Sequence, residues 1–565
     1  MRALMLLGMK PSPAEAPLLP AAPRRELSLF DSTCVIVGII IGAGIYRSTP
    51  DIAGCVPSAG WLVAVWVFGG LFALVGAMCY AELASAYPKA GGDYVYLTRA
   101  YDRPLGFLFA WAELWVVRPG SLGAMAFAFA EYANRIWPQA EGEAARRVAL
   151  AYAVGAIGVL TLINALGVRQ GKWTQNILTV AKFVGLMAVV VVGFSMRAPQ
   201  PADKHGPPAA QATAVQSSAA QSSATERNDA GQDAAAQNDA ANESASKADT
   251  PKTDAPGESD SRADGPNQNT PAAPAQWVIP VLGWPVAAVD WSAFGLAMIL
   301  VLFTYGGWNE MGYIGAEVRH PERNIFRALM LGTAAVVAIY VLVNLAFVHA
   351  VGFEGVRSKT VATDVLRLAL GRGAEAAMAA LICVSALGVI NGQIFTGARI
   401  YYAMGRDHAL YAPLGRWNAR LDTPLVSLLV QASVTIALVL GFGLSGDGFN
   451  RLVNFTAPPF WFFLFLVAIS VLVFRAQEPD VPRPYRVFAY PVTPLLLAMG
   501  CLYMMYASVN WAIANRSGEA FWAIGILVLG VALSFVRDGV SSTNGNGPAE
   551  PNSQEPDGRG GQSIA

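Results

Sequence analysis

Charge is scarce in this chain. Of 565 residues, 14% are Asp, Glu, Lys or Arg and 54% are hydrophobic, and the mean hydropathy is +0.41. Soluble domains carry about a quarter charged residues, so much of this surface must face lipid. The 39 basic and 39 acidic residues cancel. That leaves no basic excess to hold a phosphate backbone and excludes nucleic acid as a partner. Cysteine is sparse as well. Cys34, Cys55, Cys79, Cys383 and Cys501 are scattered, four of them in apolar stretches, and read as small buried hydrophobes, not a disulfide framework. His-Glu-x-x-His and Gly-x-Ser-x-Gly are missing, and none of the four His sits by an acidic cluster at depth. No enzyme, metal centre or cofactor is therefore expected. The start, Met1 to Pro23, lacks a basic region before an apolar core, so no cleavable signal is expected.

Apolar runs are abundant. A membrane helix needs about 20 apolar residues, and scanning at that length predicts about twelve. They begin near Leu29, Gly60, Pro104, Val148, Trp173, Trp291, Ile325, Ala374, Pro424, Arg451, Tyr490 and Glu519. Val65–Ala81 and Ala181–Phe194 show almost no polar face, which excludes a soluble helical bundle. Between Pro199 and Ala275 the composition turns to Ala, Gln, Ser, Asp, Asn and Pro with no aromatic residue. Such a segment cannot bury enough apolar area to offset chain entropy and is expected to be disordered. The predicted organisation is a disordered start (1–26), five helices (27–198), a disordered outer loop (199–276), five more helices (277–475), two additional helices (476–537) and a disordered tail (538–565). Lys and Arg concentrate on the loops that share a side with both termini, such as Arg319, Arg323 and Arg327. This places both termini in the cytoplasm of a multi-pass protein of the cell's inner membrane.

Two runs are interrupted by glycine: Gly38 to Tyr46 in the first helix and Phe303 to Glu310 in the sixth. Glycine costs about 1 kcal/mol per site in a helix interior. A break at membrane depth survives only where the freed backbone lines a protein cavity. Glycines also serve close helix packing, but two interruptions five helices apart match an inverted five-plus-five repeat and point to a substrate site. A half-helix N-terminus suits a carboxylate and a half-helix C-terminus suits an ammonium. An α-amino acid carries both groups a few ångströms apart.

At these residues the chain resembles the amino acid–polyamine–organocation transporter superfamily, most of all its L-type amino acid transporter branch and bacterial relatives. The resemblance rests on Val37–Tyr46, Cys79–Leu83, Pro88–Tyr94, Tyr305–Asn309 with Glu317, Pro321, Arg323 and Asn324, then Asn391-Gly392, Ala398-Arg399 and Gly405–Asp407. It covers Leu27 to Arg537 apart from the insert. It implies an all-α, LeuT-type fold with helices 1 and 6 broken and two extra C-terminal helices. It implies that Gly42, Ala43 and Gly44 give backbone N–H groups to a substrate carboxylate. Carbonyls of Ile39, Phe303, Thr304 and Gly306 would receive the amine. Phe303 would be the outer gate, and Asn309 and Asn391 would line the pocket. Animal members carry a cysteine between the third and fourth helices for a glycoprotein partner. Trp137–Arg147 has none, so no disulfide-linked partner is expected.

Charges at depth cost at least about 2.5–3.5 kcal/mol on insertion scales and tend to be paired and functional. Lys182 lies mid-way along the apolar stretch Ile177–Phe194. In this family a lysine there resembles a built-in cation in place of sodium, with first-helix carbonyls and Ser385 as partners. Glu113 and Arg118, five apart, lie roughly 140° apart on an α-helix. They are expected to face different partners: Lys182 or a proton for Glu113, Glu310 for Arg118. The leading expectation is a sodium-independent secondary carrier of amino acids, working by exchange or proton coupling. The alternatives are a polyamine or cationic amino acid carrier and a non-transporting nutrient receptor.

Overall fold

The first apolar run opens on a helix-start signal. Ser28 Oγ accepts the Asp31 amide at 3.2 Å and Asp31 Oδ2 accepts the Ser28 amide at 2.9 Å. This reciprocal pair satisfies two amides that have no partner inside the helix. Helix α1 (Leu29–Ile40) then runs to the glycine interruption, and α2 (Gly44–Gly54) leaves it bent by 46°. The computed structural model describes residues 23–137, 142–195, 278–279, 284–285, 290–443, 448–514 and 518–541. Of the stretches where disorder is expected, 1–26, 199–276 and 538–565, residues 1–22, 199–276 and 542–565 lie outside these, and 538–541 continue the last helix.

The remaining runs form α3 (Ala59–Ala86), the short α4 (Asp93–Ala100), α5 (Arg103–Ala112), α6 (Arg118–Ile136), α7 (Gly142–Ala165) and α8 (Val168–Ser195). After the insert come α9 (Trp291–Thr304), α10 (Pro321–Val356), α11 (Val361–Leu370), α12 (Ala374–Asp407), α13 (Leu425–Gly443), α14 (Gly448–Gln477), α15 (Val492–Ala514) and α16 (Gly518–Ser541). All of these helices belong to one unit; the two-residue strand Val278–Ile279 belongs to a second. Among the described residues, eight helices are long and apolar enough to cross a membrane, and the bent α1–α2 pair makes a ninth. The other three expected runs are helical but do not qualify as spans by length and apolarity. The third is divided by a π-helical turn, the sixth ends in a 3₁₀ helix, Trp308–Glu317, and the last has an apolar stretch over Gly518–Ser534.

The packing is inside out relative to a soluble protein. On α8, Ile177, Val184 and Val191 are exposed, while Gln175, Thr179 and Lys182 are buried. Residues seven apart share a helix face, so the apolar stripe faces outward and the polar one inward. The inward stripe meets α1, α10 and α12. Gly38 makes the α1–α8 approach possible, because a Cβ there would sit 2.1 Å from Gln175 Nε2. That glycine serves close packing, and the break begins beyond it.

One expectation is corrected here. Glu113 and Arg118 do pair, Nε to Oε2 at 3.2 Å. The backbone over Glu113–Val117 is a π turn, in which the Arg118 amide reaches back to the Glu113 carbonyl. A turn with i→i+5 bonding brings residues five apart onto one face.

Candidate functional site

Both interruptions face a common space. Between α1 and α2 lie Ile41, Gly42 and Ala43; between α9 and the 3₁₀ helix lie Tyr305, Gly306 and Gly307. Gly307 has φ 117°, and a Cβ on it would sit 2.9 Å from Ile39 Cγ2, so this crossing of the two breaks requires glycine. The space is a cavity of about 150 Å³. An apolar cavity of about that volume admits a benzene-sized molecule.

The backbone offers both signs of partial charge to this cavity. At the start of α2 the amides of Ala43, Gly44 and Ile45 meet no backbone carbonyl among the described residues. The Gly42 amide is already taken by Ile40 O at 2.9 Å, and Phe303 O is taken by the Gly306 amide at 3.2 Å. Two groups expected at the site are thus satisfied within their own chain turns. Ile39, Gly42, Ala43, Gly44, Phe303, Thr304, Gly306 and Asn309 all line the cavity. Phe303 is 43% exposed. Thr304 Oγ1 donates to Leu300 O at 2.7 Å and lies 3.3 Å from Ser48 Oγ, tying the two broken helices together.

Asn391 is not in the cavity wall. It is fully buried, donating to Gly171 O at 3.2 Å and Gln175 Oε1 at 2.8 Å and accepting from Asn164 at 2.8 Å. The wall takes Val389 and Gln393 instead. These lie four apart on α12, whereas Asn391 is two residues from each and points to the opposite face. Ser121, Gln393, Thr456, Phe460 and Trp461 also line the cavity and were not anticipated. The usable signal was Pro458-Pro459 inside α14, since prolines free carbonyls in a helix ladder.

Lys182 stands behind the break, outside the cavity wall. It is 0% exposed and does not snorkel to an interface. Its Nζ donates to Gly38 O at 2.7 Å, Ile41 O at 2.9 Å and Ser385 O at 3.1 Å. Ser385 contributes its backbone carbonyl. The ammonium thus joins α1, α8 and α12 at the point where α1 loses its helical partners. Glu113 does not reach it. Instead Glu113 and Glu310 share Arg118, with Arg118 Nη1 to Glu310 Oε1 at 2.7 Å and Thr396 donating to the other Glu310 oxygen. All three charges are buried, and all three line the cavity.

A family model described as amino acid permease matches residues 27–532. The chain belongs to the amino acid permease family. As an amino acid permease it is a multi-pass membrane protein of a family of transporters. It is 26% identical over 514 residues to the b(0,+)-type amino acid transporter 1 of Mus musculus, covering 91% of this chain and 88% of that protein. It is 25% identical to the large neutral amino acids transporter small subunit 2 of Mus musculus, covering 84% and 75%. It is 26% identical to the Asc-type amino acid transporter 1 of Mus musculus, covering 91% and 81%. These relatives are transporters and not enzymes.

In this amino acid permease the Glu113–Arg118–Glu310 triad yields a stability prediction. Removing one partner of a buried ion pair costs about 3–5 kcal/mol, because the other charge is left uncompensated. Arg118→Met strands two carboxylates and is expected to lower the unfolding temperature in detergent by several degrees. An unchanged melting curve contradicts a structural ion triad.

Proposed function

We propose that the protein is a secondary carrier of amino acids that works without sodium, by exchange or proton coupling, in the cell's inner membrane with both termini cytoplasmic. The observation that carries this reading is the Lys182 ammonium, held by three carbonyls at 2.7–3.1 Å beside a broken helix. A fixed cation already does there what a bound sodium ion would do. The substrate carboxylate takes the amides of Ala43, Gly44 and Ile45, and its ammonium takes the carbonyls of Ile39, Thr304 and Gly306. The side chain then lies toward Val117, Met125, Val389 and Phe460. Phe303 closes over it. Helix-end dipoles and free amides suit this pose.

A second reading, a carrier of polyamines or cationic amino acids, is favoured by Glu113 and Glu310 in the wall. Arg118 compensates one of the two charges and leaves the other for a cation. A panel of labelled neutral and cationic amino acids and polyamines, offered to proteoliposomes, separates the two readings. Strong uptake of compact neutral amino acids supports the first. Stimulation by unlabelled substrate on the opposite face, at equal pH on both sides, identifies exchange; uptake that needs an inward proton gradient identifies symport. Absence of uptake for every amino acid would overturn the proposal.

A further inference from the structure

Among the described residues, one buried carboxylate pairs with no cation. Asp93 begins α4 and is 3% exposed. Tyr80 and Tyr313 both donate to its Oδ2 at 2.8 Å, and its Oδ1 has no partner among the described residues. The groups that act on it are Tyr80 of α3, Tyr313 and Glu310 of the 3₁₀ helix, Glu113 of the π turn, and Tyr96 of α4 itself. Of the other elements packed on α4, α12 pairs Asp407 with Tyr94, Glu478 just after α14 pairs with Arg99, and α5 brings Arg103 near Tyr94. The Arg118 guanidinium lies 5.3 Å from the Tyr313 ring centroid and is already bonded to both glutamates. Asp93 is therefore held by neutral donors beside two other carboxylates.

The same place is a seam. Gly91 donates its amide to Tyr313 O at 3.2 Å. Gly92 has φ 46°, and a Cβ there would sit 2.6 Å from the Gly312 carbonyl carbon, so backbone lies on backbone. Tyr313 reaches upward as well, since Asn309 Nδ2 donates to its hydroxyl at 3.3 Å and Asn309 lines the cavity. The chain Asn309–Tyr313–Asp93 runs from the cavity wall to the join between α4 and the 3₁₀ helix.

We infer that Asp93 is a gating residue of the carrier: a proton-accepting latch that holds α4 against the second half of the broken sixth segment and receives the occupancy signal through Tyr313. This rests on the transport reading above. Asp93 lies outside the membrane-spanning helices. Burial pushes its carboxyl up to about 7; the tyrosine hydrogen bonds oppose this, and Glu113 and Glu310 add to it. When the seam opens and water enters, the group returns toward the ordinary value of about 3.9. The closed seam then holds more protons than the open one between these values, so acid favours closure and rising pH favours release.

Hydrogen exchange of the segment 91–100 in the substrate-free, full-length protein reads the latch directly, after correction for intrinsic rates. Wild type is expected to lose protection as pH rises from about 4 to about 7, and to change little above that. Asp93→Asn keeps the acceptor oxygen without the charge, and is expected to stay protected with no pH dependence and to transport slowly at every pH. Tyr313→Phe, which removes one donor, is expected to lose protection already in acid. An Asp93→Asn protein with the wild-type pH profile overturns the inference, as does a Tyr313→Phe protein with unaltered protection. The exchange arm needs no substrate, so it fails separately from the choice of cargo.

Discussion

The Gly44→Leu protein is expected to reach the membrane and to take up labelled amino acid at about a tenth to a hundredth of the wild-type rate, since overpacking costs about 1–3 kcal/mol and each 1.4 kcal/mol is tenfold. A Cβ on Gly44 would already lie 3.0 Å from Thr304 Cγ2 and 3.1 Å from Thr304 Oγ1. Thr304 cannot swing freely, because its hydroxyl bonds back to Leu300 O. The longer leucine side chain therefore occupies the space before the free amides of Ala43, Gly44 and Ile45. Insertion itself is spared, since leucine is more apolar than glycine and the position starts a half-helix. Normal uptake by a correctly inserted Gly44→Leu protein would remove the proposed carboxylate site. Poor insertion is distinguished by surface biotinylation alongside the uptake assay.

The breaks were legible because they rest on one residue type. Glycine weakens a helix wherever it stands, and Gly42 to Gly44 and Gly306-Gly307 fall at the interruptions. Most helix starts were legible within a few residues, since caps and prolines such as Ser28, Arg103-Pro104 and Pro321 mark them. Rotation was not legible. Asn391 and Gln393 are both polar residues on one apolar helix, and nothing in their spacing tells which faces a cavity built from other helices. The π turn was hidden for a related reason. An extra residue in one turn changes which side chains meet, and the partners that meet there come from distant parts of the chain: Arg118 bonds Glu310 as well as Glu113, and Tyr401 donates to the Glu113 carbonyl at 3.0 Å. Lys182 lay between these cases: its depth was readable from the apolar run, while its acceptors depended on the unwinding of α1.

Lys182→Ala carries the second large effect. It removes the donor from three carbonyls at once and leaves Gly38 O, Ile41 O and Ser385 O in a dry place. Each unpaired buried group costs about 1–3 kcal/mol, and the loss falls on the joint between α1, α8 and α12. A water in the vacated space donates to at most two of the three carbonyls and brings no charge; the lysine's own seat is close-packed, since a Cβ on Gly388 would sit 2.4 Å from Lys182 Nζ. Uptake by the variant is expected to drop at least about tenfold, the equivalent of 1.4 kcal/mol. Gly388→Ala, which pushes the lysine off its acceptors, is expected to move in the same direction.

The most direct test sets sodium against that lysine. Two monovalent cations about 4 Å apart repel by about 4 kcal/mol at an effective dielectric of 20, so the ammonium and a sodium ion exclude each other from this cage. Uptake of a labelled amino acid into proteoliposomes is measured in sodium, potassium and choline media of equal pH and ionic strength, for wild type and for Lys182→Ala. Equal wild-type rates in the three media, with the variant slowed in all of them, is the predicted result. Wild-type uptake that stops when sodium is replaced by choline, or a Lys182→Ala protein that transports at the wild-type rate, would contradict it.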